Sequence, residues 1–213
     1  MPDKAIAKLL LDIRAVSINV EAPYHYRSGI ISPIYCDNRL IISFPDARRE
    51  IVSGMVDLIE RQSLKPDVIA GTATAAIPFA AWVSDRMNLP MIYVRSGQKG
   101  YGKDRQIEGE LHKGARVVFT EDLITTGGGV ISAVDDVRKA GGDVIGIVAV
   151  FEYGLPAATE AFQGLNVDRW CLSDFVTVLD VMKQRGELSK EHRDAALNWK
   201  ADPKSWGKKM GFE

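Results

Sequence analysis

The chain is poor in the features that would mark it for several common functions. Its 213 residues carry 27 basic and 28 acidic side chains, a formal net charge of -1, so no global field favours nucleic acid or an anionic membrane. Any anion site must therefore be local. There are only two cysteines, Cys36 and Cys171, far apart and without metal-ligand spacing, which reads as reduced buried thiols. No stretch approaches the roughly 18 apolar residues of a membrane span, and the opening MPDKAIAKLLLDIRAV is charged and amphipathic. These absences predict a soluble, cytoplasmic protein that binds neither nucleic acid nor membrane. What the chain does have is 46% hydrophobic residues, enough for the core of one large domain.

Residues 1–213 read as one domain in three parts: an N-terminal helix and hood segment (1–45), an α/β core (46–180) and a C-terminal helical extension (181–213). Ile6, Leu9, Leu10 and Ile13 recur at helical spacing behind Asp3, a candidate N-cap, and predict a first helix packed as a lid or flank. Residues 24–43 break into short apolar runs around Ser28, Gly29, Ser32 and Pro33, which suits irregular extended structure and a strand. A helix from about Asp46 buries Ile51, Met55, Leu58 and Ile59. Strands and helices then alternate: DVIAG (67–71), a helix over 75–87, PMIYVR (90–95), ARVVFT (115–120), a helix over 129–140, and DVIGIVAVF (143–151). Near-continuous apolar strands between helices predict a parallel sheet covered on both faces. The segment between Val94 and Arg116 is long, glycine-rich and charged, and predicts a lid or a disordered segment.

One stretch carries the chemistry. VVFTEDLITTGGGV (117–130) places Glu121 and Asp122 beside Thr125, Thr126 and Gly127 to Gly129, so two acids share a loop with residues suited to an anion. In open α/β sheets ligands sit beyond the carboxyl ends of the strands, which is where this loop falls. Helix-start amides and threonine hydroxyls suit a phosphate, while carboxylates accept from hydroxyls. A sugar phosphate satisfies both demands, with hydroxyls on the acids and the 5′-phosphate on Thr125 to Gly129. Walker A is excluded because no lysine follows the glycines, and G-x-G-x-x-G does not match GGGVIS.

The order of strand, acid pair, threonines, glycines and helix resembles the ribose-phosphate signature of the type I phosphoribosyltransferases, which bind phosphoribosyl pyrophosphate (PRPP). RSGIISPIYCDNR (27–39), GTATAAIP (71–78), YVRSGQKGYGKDRQIEG (93–109) and LSDF (172–175) extend the resemblance over nearly the whole chain, toward the orotate phosphoribosyltransferase family. The resemblance implies a Rossmann-like parallel-sheet core with helices on both faces, a small hood and a flexible catalytic loop. It implies transfer of phosphoribosyl from PRPP to orotate, giving orotidine 5′-monophosphate and pyrophosphate in pyrimidine biosynthesis. Mg²⁺ would be carried by PRPP and pyrophosphate rather than by a protein metal site. A homodimer is implied, with the loop reaching the neighbouring site.

Residue roles follow from the same resemblance. Arg95, Lys99, Lys103 and Asp122 are the candidate catalytic residues. PRPP contacts fall on Thr72, Ala73 and Thr74, on Arg95, Lys99 and Tyr101, and on Glu121, Asp122, Leu123, Ile124 and Thr125 to Gly129. Orotate contacts fall on Arg27, Tyr35, Arg39 and Thr125. Read without the resemblance, Tyr35 and Arg39 are more often structural and the loop cations a solvated turn. The chain departs from the family pattern at Tyr101, where many members have histidine, at Ser96, where some have lysine, and in FEYG (151–154), which lacks an arginine some bacterial members use for orotate. A purine phosphoribosyltransferase and a PRPP-sensing regulator remain as alternatives. The first gives no reason for SGIISPIYCDNR, and the second lacks a basic nucleic-acid surface.

Overall fold

Strand side chains alternate between the two faces of a sheet, and the apolar runs of this chain use both. In the computed structural model, which describes residues 3–95 and 106–212, Ile69, Val118, Val148 and Val150 face one hydrophobic layer. Val68, Ala70, Val117, Phe119, Ile147 and Ala149 face the other. These belong to β5 (Val68–Thr72), β8 (Arg116–Ile124) and β9 (Asp143–Glu152). With β6 (Met91–Val94), β7 (Ile107–Glu108) and β10 (Arg169–Asp174) they form a sheet of order β10-β9-β8-β5-β6-β7, parallel except for β7.

Five helices supply the first layer: α1 (Lys4–Asp12), α2 (Pro45–Arg61), α3 (Ile77–Met87), α6 (Phe175–Gln184) and α7 (Lys190–Ala201). The second is supplied by α4 (Gly128–Lys139) and α5 (Pro156–Gln163). Fully buried side chains such as Phe119 and Ile69 contribute roughly 1.5–3 kcal/mol each. The predicted N-cap Asp3 accepts from the Ala5 N–H at 2.6 Å. The backbone N–H of Asp3 also donates to the Leu172 carbonyl at 2.7 Å, so α1 is a flank pinned to the edge strand β10 rather than a lid.

Residues 16–43 form a hood over the carboxyl ends of the strands. It contains β1 (Val16–Ile18) paired with β4 (Ile34–Cys36), β2 (Tyr24–His25) paired with β3 (Ile31–Ser32), and a 3₁₀ turn over Asn38–Ser43. Side chains hold it down. Tyr26 Oη donates to the Ile34 carbonyl, Ser32 Oγ donates to the same oxygen at 2.9 Å, and Tyr26 and Tyr153 share a hydroxyl bond at 3.1 Å. Trp199 Nε1 of α7 donates to the Ile31 carbonyl at 3.0 Å, and α8 (Trp206–Lys209) packs against Ile31, so the C-terminal helices close the hood from outside.

Three expectations change. The apolar run LIIS is 3₁₀ rather than extended, because Asp37 accepts from the Arg39 N–H and turns the chain. The segment between Val94 and Arg116 is interrupted by β7, whose Ile107 pairs with Val94. The acids Glu121 and Asp122 end a strand rather than sit in a loop, since β8 keeps pairing with β9 as far as Ile124. Among the described residues no helix is long and apolar enough to cross a membrane.

Candidate active site

The chain leaves β5 toward β6 on one side of the sheet and returns through β8 to the other, so the strand order reverses between β5 and β8. At such a switch point the two outgoing connections diverge and leave a crevice at the carboxyl ends. Thr72, Ala73, Thr74 and Ala75 come from the β5 side of that crevice, and Glu121, Asp122, Leu123 and Thr125 to Val130 from the β8 side. Together they line a cleft of about 270 Å³. A larger groove, about 1000 Å³, lies between α2 and β10 and shares no lining residue with this cleft.

Glycine makes both connections possible. A Cβ on Gly71 would lie 2.9 Å from the Ala80 Cβ and 3.0 Å from the Ala76 carbonyl oxygen, so only glycine lets α3 fold this closely onto β5. The peptide bond between Ala73 and Thr74 is cis. Gly127 has φ +80°, and a Cβ there would run into the Phe162 ring. No side chain caps α4, so its first-turn amides stay open to the cleft. Gly128 and Gly129 have nothing within 4 Å of an added Cβ, which leaves room for an anion over those amides.

The two acids are not equivalent. Glu121 is only 8% exposed, and the Thr72 hydroxyl donates to its carboxyl. The Asp122 N–H donates to its other oxygen at 3.1 Å. Burial pushes the Glu121 carboxyl well above the usual range, and the Asp122 carboxylate beside it pushes the same way. Burial also raises Asp122, but Glu121, the backbone amides at Leu123 and Asp122, and the Arg39 charge pull it back. Burial and the neighbouring acid thus raise Glu121 further than Asp122, which lies half-buried at the cleft within reach of the Arg39 charge.

Other predicted residues fall around this centre. The Ile124 side chain is in the core and its carbonyl accepts from Tyr153, so it does not line the cleft as expected. Neighbouring strand residues face opposite sides of the sheet, and of this pair Leu123 is the one that lines the cleft. Arg95, one residue past β6, forms an ion pair with Glu108 at 2.9 Å. Arg39 is held in a fork by Asp37 at 2.6 and 2.7 Å, which offsets its charge. Tyr35 is exposed on β4, its ring centroid 5.5 Å from that of Tyr24, so it stands outside the core. Arg27 is exposed in the hood turn. Lys99, Tyr101 and Lys103, with Ser96, lie outside the described residues. Sequence reasoning missed Asn38, which is buried and donates through Nδ2 to the Asp122 carbonyl at 2.6 Å. Its signal was present in CDNR, but the neighbouring arginine drew the attention because it carries charge. Among the described residues no group of three or more His, Cys, Asp or Glu side chains could hold a metal ion.

Comparison with known proteins agrees with this geometry. Residues 47–163 match the family model of the phosphoribosyl transferase domain. The chain is 47% identical to the orotate phosphoribosyltransferase of Coxiella burnetii, over 94% of this chain and 96% of that protein. It is 45% identical to that of Bacillus subtilis, over 96% and 95% of the two chains. Among solved structures it resembles Leishmania donovani UMP synthase with a TM-score of 0.78 and 28% identity, covering 92% of this chain and 41% of that one. The fold also matches orotate phosphoribosyltransferase from Aeropyrum pernix, with a TM-score of 0.74 and 24% identity over 86% of this chain and 99% of that one.

Proposed function

The chain belongs to the orotate phosphoribosyltransferase family, and from that premise we propose how its residues divide the work. The reaction moves phosphoribosyl from PRPP to orotate, giving orotidine 5′-monophosphate and pyrophosphate, a step of pyrimidine biosynthesis. The observation that carries the assignment of roles is the cleft at the switch point, with the buried Glu121 and half-buried Asp122 on one wall and an uncapped glycine turn on the other.

The turn from Thr125 to Gly129 takes the 5′-phosphate on its open amides and threonine hydroxyls. Asp122 accepts from the ribose hydroxyls and lends negative potential to the anomeric carbon as its bond to pyrophosphate breaks and positive charge develops. Glu121, neutral and bound to Thr72, keeps that charge on Asp122 rather than competing with it. The small residues Ala73 and Thr74 let pyrophosphate approach the backbone. Arg95, Lys99, Tyr101 and Lys103 are assigned to the departing pyrophosphate by resemblance, and the reaction requires exclusion of the water that would capture the ribosyl cation. A deprotonated orotate nitrogen attacks, with Thr125, Arg27, Tyr35 and Arg39 around the base, so no covalent enzyme intermediate is needed.

The donor set fits a metal brought by the substrate. Mg²⁺ keeps most of its water and is held through one or two carboxylates plus substrate phosphates. Asp122 is the half-buried carboxylate lining the cleft and would supply one such ligand. When bound, Mg²⁺ would neutralise the departing pyrophosphate. A homodimer is supported by the hood itself: Tyr35, Leu40, Ile42 and Phe44 are 39–43% exposed within one short segment, an apolar patch that suits a second copy. A cytoplasmic location follows from the same reading.

The test is orotate consumption followed by ultraviolet absorbance with PRPP and Mg²⁺, each component omitted in turn, with purine bases as parallel acceptors. Loss of orotate that needs both PRPP and Mg²⁺ is the expected result. Turnover of a purine in its place would overturn the choice of base.

A further inference from the structure

We propose that Asn38 is a positioning residue for Asp122, the means by which the hood, rather than the sheet, sets the ribose-facing carboxylate. β5 pairs with β8 only from Val68↔Val117 to Gly71↔Thr120. Beyond Thr120 one side of β8 has lost its neighbouring strand, at the point where the two acids begin. β9 continues on the other side to Ile124, but Asp122 is not among its paired residues, although Glu121 and Leu123 are. The Asp122 carbonyl is instead taken by Asn38 Nδ2 at 2.6 Å, a bond between residues 84 positions apart in the chain.

Asn38 is built for this one contact. It is 1% exposed at the start of the 3₁₀ turn, whose N-cap is Asp37. Among the described residues its Oδ1 has no hydrogen-bond partner, so the amide is oriented there by the donor it gives away. Reversing the amide would set oxygen against oxygen and leave the carbonyl of Asp122 unsatisfied as well. The Nδ2 donor thus ties the hood to the backbone of β8 at the residue where that strand has lost β5. The charged or titratable groups around Asn38 are Asp122 with Glu121 on β8, Cys36 on β4, and Asp37 paired with Arg39. The same segment that carries the base-side candidates Tyr35 and Arg39 thus holds the backbone of the ribose-side acid. Asn38 touches no reacting atom and acts through Asp122. This inference rests on the proposed reaction.

The test compares Asn38→Ala and Asn38→Asp with the wild type. In Asn38→Ala, kcat is expected to fall on the order of 10- to 100-fold, the scale of a small misplacement of a reacting group, with the KM for orotate nearly unchanged. In Asn38→Asp the new carboxyl donates to the Asp122 carbonyl only while protonated, and burial raises its pKa. Its kcat relative to wild type is therefore expected to recover as pH falls from about 8.5 to about 5.5, whereas the Asn38→Ala ratio stays flat, which also reads the idea if Asn38→Ala folds poorly. Hydrogen exchange over residues 121–124 provides a readout without turnover: protection there should drop more than elsewhere in β8 and β9. Wild-type kcat in folded Asn38→Ala, a pH-independent ratio in Asn38→Asp, or unchanged protection at 121–124 would each overturn the inference. A wild-type protein inactive toward orotate would refute the proposed reaction, and the exchange result would still decide the role of Asn38.

Discussion

At the end of β8, Glu121 is buried and bonded to the Thr72 hydroxyl, while a few residues further on Gly128 and Gly129 stand in open space at the start of α4. The first wall of the cleft is built from side chains fixed before any ligand arrives. The second is built from backbone, with its amides unclaimed. The difference matches what each wall is asked to hold. Charge developing on a sugar ring is met best by a pre-set carboxylate, because no energy is then spent reorienting it during the reaction. A phosphate already carries its charge, and needs only donors and room.

If the walls are separable in this way, changes on each should have different signatures. The largest effect is expected from Gly129→Asp. Nothing lies within 4 Å of its added Cβ, and an acid in the first turn of α4 favours the helix by a few tenths of a kcal/mol, so thermal stability should hold or rise. The new carboxylate would nevertheless face the phosphate at a cost of about 4 kcal/mol at an effective dielectric of about 20, so PRPP affinity should fall on the order of 100- to 1000-fold. Asp122→Asn, on the other wall, should lower kcat by roughly 100-fold with a smaller change in PRPP affinity, read from steady-state kinetics beside a binding titration.

Thr72→Val sharpens the side-chain wall further. It removes the hydroxyl that donates to buried Glu121 and should cost about 1–3 kcal/mol in urea unfolding. The smallest effect expected is a pH dependence. The Glu121 carboxyl has a folded pKa raised above its ordinary 4.5 by burial, so the folded state holds its proton more tightly than the unfolded chain. Stability contributed by that proton is complete below the unfolded value and is lost as pH rises through the raised folded value. Glu121→Gln has no such loss. Urea melts across pH should therefore show the variant gaining on the wild type as pH rises above about 4.5, and a constant difference would place the proton elsewhere.

How much of this was legible in the sequence also divides by wall. The backbone wall was legible almost residue by residue, since glycines between a strand and a helix allow the positive φ that Gly127 adopts and leave the helix-start amides uncovered at Gly128 and Gly129. The core strands were legible for the same reason: VIAG, VVFT and VIGIVAVF are apolar on both faces because both faces are covered. The side-chain wall was legible only in part. Glu121 and Asp122 were visible as a site, but nothing local distinguishes them, because their inequality comes from the deeper burial of Glu121 among elements distant in sequence, Thr72 lying 49 residues away. Asn38 was hidden likewise, its partner lying 84 residues away. β10 went unread because RWCLSD mixes charge and bulk on an edge strand, and LIIS was read as extended because a 3₁₀ turn with one buried face has the same composition as a strand.

The measurement that tests the account most directly is calorimetric titration of PRPP with Mg²⁺ into Gly129→Asp and Asp122→Asn side by side with the wild type. The account predicts at least a 100-fold loss of affinity in Gly129→Asp and less than about tenfold in Asp122→Asn, with both proteins folded. Wild-type affinity in Gly129→Asp, or the larger loss in Asp122→Asn, would contradict it.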